Sequence, residues 1–114
     1  MSEITIWHNN RCTKSRQTLG LLTERGIEPE VVTYLEDPPS RAEIERVVGL
    51  LGGDPRVLVR RGEPEYAELG LADADDATVL AALAEHPRLI ERPVVIRGGR
   101  AVIGRPPENV LDLL

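Results

Sequence analysis

Cys12 is the only cysteine among 114 residues, and it lies in the run His8-Asn9-Asn10-Arg11-Cys12-Thr13-Lys14-Ser15-Arg16. An apolar stretch, Ile4 to Trp7, stops just before this polar, cationic run, and a helical pattern begins just after the sulfur. The thiol is therefore expected at the start of a helix, facing unpaired backbone N–H groups and the positive end of the helix dipole. Both favour the thiolate, the nucleophilic form of cysteine. Arg11, Lys14 and Arg16 add positive charge beside it, which suits an anionic reaction partner. The competing reading is an inert, packed cysteine. Composition alone favours the inert reading; the polar setting at a helix start leaves both open.

The elements that would hold this thiol follow from patterning. Glu3 to Trp7 is expected as a short buried strand. A helix is expected from about Thr13 to Arg25, ended by Gly26. A second strand, Glu30 to Tyr34, follows Pro29. Strand, helix and strand this close make a βαβ unit with parallel strands. Asp37-Pro38-Pro39 then breaks the chain. Ser40 and Glu43 read as a capping box, with Ile44, Val47, Val48 and Leu51 at helical spacing and Gly52-Gly53 as the stop. Asp54-Pro55 opens a short helix. Asp75 or Asp76 opens another, carrying Val79, Leu80 and Leu83. Residues from about 40 to 86 therefore read as a helical insertion.

The chain returns to strand at Val94 to Ile96. Gly98-Gly99 is expected to supply the positive φ angles of a tight hairpin turn, and Ala101 to Ile103 returns. Pro106-Pro107 opens a last helix, with Val110, Leu111 and Leu114 facing inward. The expected fold is α/β, βαβ then ββα, in one domain spanning residues 1–114.

Composition narrows the function class. Hydrophobic content of 41% and charged content of 29% are ordinary for a soluble domain. With no Phe, one Trp and two Tyr, the core must be aliphatic. The net charge of −5 argues against nucleic-acid binding. No apolar stretch approaches a membrane span and no signal peptide is visible. One cysteine makes no internal disulfide, so a cytoplasmic location is expected; the chain is expected to be a monomer. One cysteine and two distant histidines are too few for a metal site, and no bound cofactor is expected. Lys14 is the only lysine among 14 basic residues.

The βαβ-ββα order with a thiol at the first helix N-terminus resembles the thioredoxin-like fold, and Arg92-Pro93 resembles its cis-proline site. Locally the chain resembles the glutaredoxin-coupled arsenate reductase family, the ArsC type, nearly end to end. The resemblance is carried by His8-Asn9 before Cys12, Ser15-Arg16 and Thr18-Leu19 after it, and Tyr34-Leu35-Glu36 with Pro38-Pro39. Leu58-Val59-Arg60-Arg61, Glu68-Leu69-Gly70-Leu71, Ile90-Glu91-Arg92-Pro93-Val94-Val95 and Arg105-Pro106 extend it. Asn10 stands where the family usually has proline. Thr13-Lys14 replaces Gly-Thr, which is similar to the subgroup whose motif reads Cys-Ser-Lys-Ser-Arg.

The resemblance implies that Cys12 is the nucleophile, that His8 helps to activate it, and that Ser15 hydrogen-bonds the thiolate. It implies that Arg60, Arg92 and Arg105 hold the oxyanion. The implied activity is reduction of arsenate to arsenite, in arsenical resistance. That reaction takes two electrons, and Cys12-Thr13-Lys14-Ser15 holds no second thiol. The second thiol must come from outside, with glutathione as co-substrate and glutaredoxin clearing the mixed disulfide. Two other readings share the fold: a regulatory module of the Spx type contacting RNA polymerase, and a glutathione-dependent reductase of another substrate. Ser15 in place of a second cysteine weakens the regulator.

Overall fold

The structure, a computed structural model, describes residues 3–114. The chain forms two compact units. One comprises the chain up to Asp37 together with Arg92–Leu114, and the other is Pro38–Glu91.

The first unit is built on a four-stranded sheet in the order β2-β1-β3-β4. Its strands are β1 (Ile4–Trp7), β2 (Glu30–Val32), β3 (Val94–Arg97) and β4 (Arg100–Ile103). β1 pairs parallel to β2 and antiparallel to β3, and β3 pairs antiparallel to β4. This is the thioredoxin-like arrangement expected from the element order. Helix α1 (Thr13–Glu24) connects β1 to β2, and Gly26 follows it at φ 75°, where glycine is the cheapest residue. The core joins Ile4 and Ile6 of β1, Leu22 of α1, Val95 of β3, and Val110 and Leu113 near the C-terminus. All six are aliphatic, as the scarcity of aromatics required.

Register decides what this unit can do. Trp7, the last residue of β1, pairs with Val94, the first of β3. Val94 in turn pairs with Ile103, the last of β4. One row across the sheet therefore ends all three strands together. The next residues outward are His8, Pro93 and Gly104, so three separate loops leave the sheet side by side.

Several details depart from the sequence reading. β2 stops at Val32, and Tyr34 lies in a turn beyond it. Gly98 alone has positive φ in the hairpin. The last helix, Pro107–Leu113, is a 3-10 helix. With three residues per turn, positions three apart share a face. Val110 and Leu113 are therefore the buried pair, and Leu114 is exposed. Leu111 packs partly buried against the core as expected, whereas Leu114, also expected inside, is replaced there by Leu113.

The second unit carries helices α2 (Arg41–Leu50), α3 (Pro64–Glu68) and α4 (Asp76–Glu85), with short 3-10 turns between them. The sequence reading passed over α3. Ser40 caps α2, its hydroxyl accepting from the Glu43 amide at 3.2 Å, while the Glu43 carboxylate faces Arg46. Asp75 caps α4 through the Thr78 amide at 2.9 Å. α2 packs against α4, burying Ile44, Val47 and Val48 from one and Val79, Ala82 and Leu83 from the other. Among the described residues no helix is long and apolar enough to cross a membrane.

The caps make this unit acid-sensitive. Hydrogen bonds from the Thr78 side chain and amide hold the Asp75 carboxyl below the ordinary aspartate value of 3.8. The amide and guanidinium of Arg56 do the same for Asp54. Each folded-state value lies below the unfolded one. The stability gained is therefore present above the unfolded value and is lost as pH falls through the folded value. Urea midpoints measured on the acid side of 3.8 are expected to drop steadily. Asp75→Asn keeps a capping oxygen without the titration, and its acid-side loss is expected to be shallower.

Candidate active site

The loop from β1 to α1 is folded by Asn9. Its side-chain oxygen accepts from the Arg11 amide at 2.9 Å and its carbonyl from the Cys12 amide at 3.0 Å. Asparagine favours such turns because its side chain mimics a backbone acceptor. The turn delivers Cys12 to the N-cap of α1, in extended conformation (φ −92°, ψ 122°), where its carbonyl accepts the Arg16 amide. No carboxylate stands in the first turn of α1 to offset the dipole. Arg16 folds back over the loop, donating to the Asn10 carbonyl and the Thr13 hydroxyl. The sulfur is buried, with the residue only 8% exposed.

Arg105 reaches it from across the sheet end. Its Nη2 donates to Cys12 Sγ at 3.4 Å and its Nε to the Arg92 carbonyl at 2.7 Å. One guanidinium thus ties the sulfur to the turn before β3. The Arg92-Pro93 bond is cis, as the resemblance implied, and Arg105-Pro106 is cis as well. Arg92 Nε is buried with no hydrogen-bond partner. A buried donor left unpaired costs about 1–3 kcal/mol, so an oxygen acceptor brought to Arg92 recovers that cost.

Ser15 and His8 form a second buried group. Ser15 Oγ accepts from the Asn9 amide at 3.1 Å and lies 2.6 Å from His8 Nδ1. With the ring proton on Nε2, facing Asn10 Oδ1 at 3.4 Å, the Ser15 hydroxyl donates to Nδ1. The resemblance implied Ser15 on the thiolate and His8 as activator. In the structure the Ser15 hydroxyl bonds His8, and the sulfur takes its hydrogen bond from Arg105. Arg60 lies in the second unit, where it pairs with Glu63 at 2.6 Å and with Glu91 at 3.6 Å.

Sequence reasoning missed Thr18 and Gly104 as parts of the site. The buried stripe of α1 is Ser15, Thr18 and Leu22. The Thr18 hydroxyl donates to the Lys14 carbonyl at 2.8 Å, and the Gly104 carbonyl lies 3.5 Å away. The Gly104 amide donates to the Pro93 carbonyl at 2.9 Å. A Cβ at Gly104 would sit 2.6 Å from Thr18 Oγ1 and 2.8 Å from Pro93 Cγ. The signal was a glycine at a strand end, a frequent mark of close backbone approach.

The profile of the ArsC family matches residues 7–113. The chain belongs to the ArsC family. It is 47% identical to an arsenate reductase of Neisseria meningitidis serogroup A, over the full length of both chains. It is 46% identical to the YfgD protein of Escherichia coli, over 98% of this chain and 97% of that one. The solved arsenate reductase of Vibrio cholerae superposes with a TM-score of 0.94 at 48% identity, covering 97% of each chain.

Two substitutions test the geometry. Gly104→Ala is expected to lower stability by about 1–3 kcal/mol through overpacking. It should also slow Cys12 alkylation by anionic iodoacetate more than by neutral iodoacetamide, because Arg105 follows Gly104 directly. Ser15→Ala leaves His8 Nδ1 unpaired in a buried place and is expected to cost about 1–3 kcal/mol in urea unfolding.

Proposed function

We propose that this protein is an arsenate reductase that uses Cys12 as nucleophile and glutathione with glutaredoxin as external reductants. The observation that carries the reading is the Arg105 guanidinium donating to Cys12 Sγ at the N-terminus of α1. The same guanidinium and the first-turn amides are donors for a tetrahedral oxyanion. Near-half identity to arsenate reductases along the whole chain supports arsenate as that oxyanion. Arg92, with its unpartnered buried Nε, is the second oxyanion ligand in this reading. Arg60 is included on the family resemblance alone.

The Cys12 thiolate attacks arsenic; an S–As bond forms, and one arsenate oxygen takes two protons and leaves as water. Glutathione then supplies the second sulfur. An S–S bond forms between Cys12 and glutathione as the S–As bond breaks, and its electron pair stays on arsenic, now arsenite. A further thiol, from glutaredoxin, attacks the mixed disulfide and frees Cys12. With one cysteine in the chain, no internal disulfide can replace the external thiol. His8 and Ser15 act in this reading by holding the loop that presents Cys12.

The same reading takes the chain as a single thioredoxin-like domain with a helical insertion, working as a cytoplasmic monomer where glutathione is plentiful. It places the motif with the Cys-Ser-Lys-Ser-Arg subgroup, Thr13 replacing that serine. The test is arsenate-dependent NADPH oxidation coupled through glutathione, glutaredoxin and glutathione reductase. Turnover is expected with the wild-type chain and none with Cys12→Ser. Folded wild-type protein with an alkylatable Cys12 and no turnover would overturn arsenate as substrate.

A further inference from the structure

Arg105 is an exposed residue, yet its guanidinium ends on a buried sulfur. A long, exposed side chain loses rotamer entropy when it is held in one place. Its tip donates to Cys12 Sγ at 3.4 Å and its Nε to the Arg92 carbonyl at 2.7 Å. Both contacts require the backbone at Arg105 to leave the end of β4 in one direction. Whatever fixes that backbone is therefore part of how the site works.

Pro106 and Pro107 follow Arg105, and proline has no amide hydrogen with which to close a turn. Asn109, half-buried in the C-terminal 3-10 helix, brings donors to this turn from its side chain. Its Nδ2 donates to the Ile103 carbonyl at 3.2 Å and to the Arg105 carbonyl at 3.1 Å. A side-chain amide has two N–H protons, one for each of these oxygens. The two carbonyls flank Gly104, whose amide donates to the Pro93 carbonyl at 2.9 Å. The Asn109 backbone amide donates to the Pro106 carbonyl at 3.0 Å, so the residue is fixed to the turn that it ties. Val110 and Leu113 are the residues of this helix that pack into the core, whereas the Asn109 side chain bonds the loop.

We propose that Asn109 is a positioning residue for the Cys12 site: by holding the carbonyls on both sides of Gly104, it aims the Arg105 guanidinium at the sulfur and at an anion reacting there. It acts through the backbone that carries Arg105. The proposal rests on the reductase reading for its effect on turnover, and on these hydrogen bonds for its effect on the thiol.

The test is alkylation of Cys12 in the full chain by iodoacetate and by iodoacetamide, which share a leaving group and differ in charge. The ratio of the two rates reads how well a cation is held at the sulfur. Asn109→Leu keeps the size of the side chain, adds no charge and removes both donors; Asn109→Ala removes them without the bulk. Each is expected to lower the iodoacetate-to-iodoacetamide ratio by about threefold, the scale of an exposed charge pair, in a chain that urea unfolding shows to be folded. Arg105→Ala should lower the ratio at least as much. In the Arg105→Ala background, Asn109→Leu should lower it no further, because two residues acting through one contact are not additive. Either folded Asn109 variant keeping the wild-type ratio would overturn the proposal. So would an unchanged ratio in Arg105→Ala, an equal second drop in the double variant, or loss of folding in both Asn109 variants. A ratio that falls as expected, in a chain whose wild type has no arsenate turnover, would keep the positioning role and sink the substrate. Wild-type turnover with the ratio unmoved in the Asn109 variants would do the reverse.

Discussion

The row Trp7–Val94–Ile103 is the constraint on which the site depends. Side-chain direction alternates along a strand, so slipping β1 against β3 by one residue would turn Ile4 and Ile6 out of the core. Burial of those residues therefore holds the register. Holding the register ends three strands at one level. From that level His8 leads to the thiol, Pro93 follows Arg92, and Gly104 leads to Arg105. A guanidinium 93 residues away in sequence then reaches the sulfur without any long loop. The packing core and the chemistry are coupled through this one alignment.

Two small residues make the alignment tight. Gly104 lets the chain pass against Thr18 and the Pro93 ring where a side chain would collide. Asn9 closes the loop with its amide, its side chain and its carbonyl, each bonded to a different partner. The result is a buried sulfur at the N-cap of α1 that takes a hydrogen bond from a guanidinium. The chain is acidic overall, with a net charge of −5. Several surface arginines are compensated by carboxylates, while the first turn of α1 has none. Local positive charge at the thiol therefore comes from which acids are kept away as much as from which bases are present.

Much of this was legible in the sequence because it is local. The N-cap position of Cys12 follows from an apolar run ending and a helical one beginning. The caps at Ser40 and Asp75 follow from short polar patterns beside apolar ones, and the strands from alternation and hairpin glycines. Errors arose where local pattern underdetermined geometry. Val110 and Leu113 are buried by a 3-10 period that spacing does not distinguish from an α-helix over seven residues. Helix α3, five residues with no buried side chain, has no apolar stripe to be read.

The sequence by itself determined that one thiol sits at a helix start, that the chain cannot make its own disulfide, and that strands and helices alternate in this order. Only the tertiary structure decided that Arg105 is the residue on the sulfur, that Ser15 bonds His8, and that Gly104 is where α1 and the Pro93 turn meet. The reason is physical. Helix starts, turns and caps are made by neighbours along the chain. The partner of a side-chain donor is set by strand register and packing, which bring together residues that no sequence spacing relates.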